Sequence, residues 1–250
     1  MTRPAVLVTG GAKRIGEAVS RTFAAAGWHV IIHCNTSRSA AQALAASLPS
    51  AEVAPCDLAQ PDAAVAMVEG LAARLDNWRV LVNCAAVFEL DTATAIDPAV
   101  HAEAMTVNAL TPARMAQAYL AHARAAGGRR VINFLDQKLA NPNPDFFSDT
   151  MAKQALAAAT TMLAMAQEDA ADRVYGLAPG AMLPSYDQRA EEHEISGRMN
   201  LLQRLTAPQE LADAALWLAQ GWLASGETLF IDSGQHLLAQ PRDVLYLARA

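Results

Sequence analysis

The chain has 250 residues, a formal net charge of −6 at pH 7 and a hydrophobic fraction of 53%, much of it alanine. That length buries a core without disulfide or metal support, and the acidic balance argues against a nucleic-acid or anionic-membrane surface while leaving room for a local basic pocket. Three cysteines (Cys34, Cys56, Cys84) and six dispersed histidines show no ligand spacing, so no metal site is expected.

Short apolar runs alternate with Ala-rich stretches along the chain. Strands are predicted at Ala5–Val8, Val30–Ile32, Ala51–Ala54, Val80–Val82, Val131–Phe134, Val174–Leu177 and Thr228–Ile231. Helices are predicted near 13–26, 38–48, 61–75, 99–126, 147–168 and 208–220. Several strands are apolar throughout, as strands covered on both faces are. The alternation implies one α/β domain over 1–250, a Rossmann-type doubly wound parallel sheet of about seven strands with helices on both faces. The stretch from about 179 to 206 has no clear period and reads as a lid over a site, or as a pair of short helices. No apolar run reaches the ~18 residues of a spanning helix. Met1–Pro4 runs straight into the first strand, so no signal peptide is expected. The sparse, odd cysteine set reads as a reduced cytoplasmic protein.

The first strand leads into Thr9-Gly10-Gly11-Ala12-Lys13-Arg14-Ile15-Gly16, which opens the first helix. Glycines at a strand–turn–helix junction let backbone approach a diphosphate, and the helix start offers free N–H groups and a positive dipole end. Further marks follow in order: Asp57 after the third strand, Asn83-Cys84-Ala85-Ala86 after the fourth, Asn108 in a helix, Pro179-Gly180 after the sixth strand and Asp232-Ser233-Gly234 after the seventh. Over about residues 5–238 the chain resembles the short-chain dehydrogenase/reductase family, and its Lys13-Arg14 pair resembles the pteridine reductases within it. The resemblance implies a dinucleotide site built from Gly10, Lys13, Arg14, Ile15 and Gly16, from His33, Asn35, Arg38 and Ser39, from Asp57 and Leu58, from Asn83 and Ala85, and from Lys153, Pro179 and Gly180.

The segment after the second strand, His33-Cys34-Asn35-Thr36-Ser37-Arg38-Ser39, has no carboxylate to hold a ribose 2′-OH. Arg38 and Ser39 suit a 2′-phosphate instead, so NADP(H) is the expected cofactor. Arginine outnumbers lysine sixteen to three, yet Lys13 and Lys153 both fall at motif positions.

In most of the family a Tyr four residues before a Lys passes the proton. Here Phe146-Phe147-Ser148-Asp149-Thr150-Met151-Ala152-Lys153 puts Asp149 at the Tyr position, and no tyrosine of the chain has a Lys four residues on. The spacing predicts an i, i+4 pair of Asp149 with Lys153. Asp136 matches the Asp of pteridine reductases and either relays the proton or caps the loop that follows. Phe88 matches their pterin-stacking aromatic, or belongs to the core or an interface. Asn108 matches the Asn that places the Lys and a water. Arg14, Phe88, Asp136 and Tyr186 are the candidate substrate contacts, with Tyr186 either a phenol supplied by the lid or an ordinary lid residue. The resemblance thus implies an NADP(H)-dependent oxidoreductase acting on a pterin-like heterocycle or a related C=O or C=N compound. Two alternatives stay open: a non-catalytic NADP(H)-binding homologue, or a ketoacyl or carbonyl reductase with an atypical proton donor. The long Ala-rich helices imply a homo-oligomer, a tetramer or dimer.

Overall fold

The computed structural model describes residues 3–185 and 187–250. All the strands expected from the sequence form: β1 Ala5–Val8, β2 His29–Cys34, β3 Ala51–Pro55, β4 Trp78–Asn83, β5 Arg130–Phe134, β6 Arg173–Pro179 and β7 Thr228–Ile231. They make one seven-stranded parallel sheet in the order β3-β2-β1-β4-β5-β6-β7. The order reverses between β1 and β4, and a crevice opens there at the strand C-termini.

Alternate residues of a strand face opposite sides of the sheet, and each side has its own core. Val6 and Val8 of β1 pack with Val19 and Phe23 of α1 (Arg14–Ala25), Leu44 of α2 (Arg38–Ser47) and Leu211 and Leu218 of α8 (Pro208–Leu218). Ala5 and Leu7 pack on the other side with Val68 and Leu71 of α3 (Pro61–Arg74) and with Met115 and Tyr119 of α5 (Thr111–His122). Beside them, Ala152 and Leu156 of α6 (Phe147–Met165) cover Leu135 and Ala178. Fully apolar strands are the consequence of this double coverage.

The helix predicted over 99–126 is corrected by the structure. It is α4 (Pro98–Ala104), a π-helical turn (Met105–Leu110) and α5, ending at His122. Asp97 starts α4 by accepting from the Ala99 and Val100 amides. The end comes early because the chain turns extended at Ala123, where the Arg124 carbonyl accepts from the Trp78 amide at the start of β4. Among the described residues of 179–206 one short helix forms, α7 (Ala190–Ser196), rather than a pair, and α9 (Val244–Leu247) follows near the C-terminus. Among the described residues, no helix is long and apolar enough to cross a membrane.

Candidate active site

The glycine loop is closed by sterics. A Cβ on Gly16 would lie 2.2 Å from the Gly10 carbonyl oxygen, and one on Gly11 would lie 2.8 Å from the Val8 oxygen. Gly10 has φ +62° and sits against the Ala85 backbone. No side chain caps the start of α1, and its first-turn residues Arg14, Ile15 and Gly16 line the cavity, so free N–H groups are available there to an anion. Arg14 begins α1 with φ +53°, a left-handed conformation unusual for a side chain with a Cβ. Its guanidinium donates to the Pro184 carbonyl at 3.0 Å and so ties the loop to the 179–206 segment.

The expected partners of this loop divide into surface and support. Thr9 Oγ1 accepts from the Cys84 and Ala85 amides at 2.9 and 3.0 Å, pinning the ends of β1 and β4 together. His33 lies beneath the loop rather than on its face. Its Nδ1 accepts from the Gly10 amide at 3.1 Å, and Nε2 donates to the Cys56 carbonyl at 3.0 Å. Burial pushes its pKa down to about 4, so the ring is neutral and both nitrogens are engaged. Asn83 is also internal: its amide donates to Asn133 (2.8 Å) and to the Pro112 carbonyl (3.2 Å), joining β4 to β5 and α5. Leu58 is buried in the core, and its carbonyl accepts from Thr111. Asp57 accepts from Asn35 (3.3 Å) and the Ala59 amide (3.0 Å) at the rim. Arg38 and Ser39 are exposed on the first turn of α2, with Asn35 exposed before them. No carboxylate follows β2 as far as Ser39, and this donor set fits a dinucleotide with a 2′-phosphate.

A cavity of about 560 Å³ runs from Gly10, Lys13, Ile15 and Gly16 past Ala85, Pro179 and Gly180 to Phe88, Asp136, Asp149 and Lys153. The loop and the three candidate charged groups therefore share one space. Gly180 is required there, since a Cβ would meet Gln235 at 2.6 Å and Asp232 at 2.8 Å. Lys153 donates to the Phe134 carbonyl at 2.8 Å. Asp149 accepts from the Asn108 amide at 2.8 Å. The expected Asp149–Lys153 pair is thus replaced by two separate bonds, because each group meets a nearer fixed partner. Asn108 also exchanges bonds with the Val87 backbone, accepting from its amide (2.9 Å) and donating to its carbonyl (2.8 Å).

The capping reading of Asp136 holds in the structure. It accepts from the Lys138 amide at 2.7 Å, capping a short 3-10 turn, and it faces the cavity. Burial pushes its pKa up to about 6, opposed by Lys138 and supported by the negative charge of Asp149. Asp149 is likewise raised, by burial first, with Lys153 and Lys138 opposing. Phe88 stacks on Phe146 with centroids 4.2 Å apart and remains 42% exposed, so one ring face is taken and the cavity side is open. Tyr186 lies outside the described residues.

Sequence reasoning missed the far wall of the cavity, formed by Lys138, Asp243, Val244 and Leu245. Lys138 is the third lysine of a lysine-poor chain and lies two residues after Asp136. That scarcity was the available signal for it. Nothing local points to residues 243–245, which reach the cavity only through the fold.

A family described as enoyl-(acyl carrier protein) reductase matches residues 10–236. The chain is 27% identical to a Streptomyces violaceoruber protein assigned as ketoacyl reductase 2 of granaticin polyketide synthase, over 94% of this chain and 97% of that one. It is 25% identical to pteridine reductase 1 of Leishmania tarentolae, again over 94% and 97%. The crystal structure of FolM alternative dihydrofolate reductase 1 from Brucella canis, complexed with NADP, superimposes with a TM-score of 0.88 at 34% identity and 97% coverage of both chains.

Proposed function

The chain belongs to the short-chain dehydrogenase/reductase family, and from that premise we propose that it is an NADPH-dependent reductase of a pterin-like heterocycle, a dihydropterin or dihydrofolate. One observation carries the reading: a single cavity holds the phosphate-binding loop, Lys153 and Asp136, a carboxyl with a raised proton affinity. The names of the pteridine reductase and NADP-bound dihydrofolate reductase relatives support the same substrate class.

Bound NADPH supplies a hydride to the carbon of a C=N or C=O bond. The chain has four tasks. The amides of the first turn of α1 hold the diphosphate, and Arg38 with Ser39 holds the 2′-phosphate. Lys153, fixed by the Phe134 carbonyl, keeps two N–H groups for the nicotinamide ribose. Phe88 offers its open ring face to a flat substrate. Asp136, protonated up to about pH 6, gives its proton to the substrate nitrogen or oxygen, directly or through one water. The test is NADPH oxidation with dihydropterin, dihydrofolate and simple ketones as acceptors. Turnover of the pterins alone is expected. Turnover of the ketones alone would replace this reading by that of a carbonyl reductase, a reading closer to the ketoacyl reductase name of the Streptomyces relative.

One observation favours a second reading. Asp149, at the position where the family carries Tyr, is held by Asn108, and a chain without that phenol fits a non-catalytic NADP(H) binder. Asp149→Tyr separates the two. It creates activity in a silent protein, whereas in an active one it alters rate or specificity. We further assign residues 1–250 to one domain with 179–206 as its lid, and the protein to the cytoplasm as a tetramer or dimer. Free cysteines and the exposed Met151, Met162 and Met165 on α6 support that placement. Light scattering at one chain mass would refute the oligomer.

A further inference from the structure

The last residues of the chain are bolted to the substrate end of the cavity. Asp145, buried in the loop before α6, accepts from Arg242 Nε at 2.7 Å and from the Asp243 amide at 2.8 Å. The Asp243 carboxylate in turn meets Lys138 Nζ at 2.6 Å and caps α9 by accepting from the Leu245 amide. Lys138 also donates to the Asp145 carbonyl and lies 5.0 Å from the centre of the Phe146 ring. Its ammonium is therefore fully engaged, which makes Lys138 an anchor rather than an anion site. Arg249 reaches Glu192 of α7 and Asp187, so the same segment also holds the 179–206 region.

An aromatic ladder continues the connection. Phe88 stacks on Phe146 (4.2 Å, 21°), Phe146 lies face-on to Tyr246 (6.2 Å, 25°), and Arg242 sits 4.8 Å over Tyr246. Phe146 is left-handed, φ +52°, a conformation a bulky residue keeps only where its surroundings hold it. That strained residue is also the last before α6, which carries Asp149 and Lys153. Val244 and Leu245 are buried and line the cavity.

We propose that segment 242–249 is the substrate-selecting wall of the cavity: Leu245 and Val244 set which ring substituents fit, and Tyr246 is a positioning residue that holds the Phe88 shelf through Phe146. The inference rests on the pterin reading above and adds its specificity element.

The experiment compares the full-length chain with Leu245→Ala, Leu245→Val, Tyr246→Leu and Tyr246→Phe, assaying NADPH oxidation with dihydrobiopterin (short side chain) and dihydrofolate (long tail). Leu245→Ala is expected to shift the ratio of kcat/KM between the two by about tenfold, with Leu245→Val intermediate. Tyr246→Leu is expected to raise KM for both by about tenfold with kcat within about twofold, and Tyr246→Phe to keep the wild-type KM. An unchanged KM for NADPH in each variant verifies the cofactor half. A variant that loses NADPH binding is read through its conservative partner. Unchanged ratios and KM values in an active protein would overturn this inference alone. Inactivity of the wild type on both substrates would overturn the proposed function and this inference with it.

Discussion

A carboxyl group surrounded by protein is costly to ionise, and at Asp136 that cost is what suits it to the acid role proposed for it. Its pKa of about 6 lies above the ordinary value of 3.8. The stability it contributes is therefore fully present below pH 3.8 and is lost as pH rises through about 6. Asp136→Asn keeps the acceptor for the Lys138 amide and removes the charge. It should stabilise the protein at pH 8 by about 1–2 kcal/mol, after discounting for solvent that reaches the group through the cavity, and leave stability at pH 4 nearly unchanged. Urea unfolding at the two pH values checks this. Under the proposed function the same titration would govern rate, since only the protonated form can donate. The kcat/KM of the wild type should fall as pH rises above about 6, and Asp136→Asn should be slowed by about 10²-fold or more and lose that limb. A pH-rate profile flat from pH 5 to 8 would exclude Asp136 as donor. Arg14 is a second residue whose conformation costs stability. At φ +53° it sits where glycine is favoured, so Arg14→Gly should relieve strain of about 1 kcal/mol while weakening substrate capture and loosening the Pro184 tie. A higher Tm with a higher KM is the expected signature.

At the scale of elements, the alternating apolar runs placed every strand, because a doubly covered parallel sheet writes itself as short hydrophobic segments. The glycine loop was legible for the same kind of reason: its chemistry is local and contiguous. What the pattern hid is irregular or distant. A 3.6-residue period reads 99–126 as one helix, since hydrophobic spacing does not register the extra residue of a π turn. That turn presents Asn108, whose amide and carbonyl satisfy the Val87 backbone and Asp149 together. Asn108→Ala would leave those buried groups without partners, a loss of about 2–4 kcal/mol, and would free Asp149 to turn toward Lys153. Denaturation and NADPH turnover measured on the same variant check both, and Asn108→Ala within about 0.5 kcal/mol of wild type would show the turn to be held by other contacts. The cavity wall was illegible because Lys138 and Asp243 meet across a long stretch of chain. His33, read as a cofactor contact, illustrates the complementary error. Proximity to the motif was correct, but only the fold shows its ring turned inward to the Gly10 amide.

Over the whole molecule, the crevice lies between the two halves of the sheet, and a dinucleotide held there contacts both. Under the proposed function its diphosphate would rest on the β1–α1 junction and its 2′-phosphate on the start of α2, with Lys153 holding the nicotinamide ribose. A ligand that binds only the folded state stabilises it by RT ln(1 + [L]/Kd), about 2.7 kcal/mol at a hundredfold excess over Kd. For a chain of this size that corresponds to a rise in Tm of about 5–10 °C. NADPH should produce it, and NADH at equal concentration should produce much less, because only the former carries the 2′-phosphate proposed to meet Arg38. The preference should depend on one side chain. Arg38→Ala removes charge-assisted bonds worth about 1.5–3 kcal/mol, so the NADPH shift should shrink to that of NADH while the NADH shift stays where it was. If Arg38→Ala lowered both shifts equally, Arg38 would be supporting the fold of α2 rather than reading the phosphate. If wild type showed no preference at all, the choice of NADP(H) would have to come from elsewhere on the rim of the crevice.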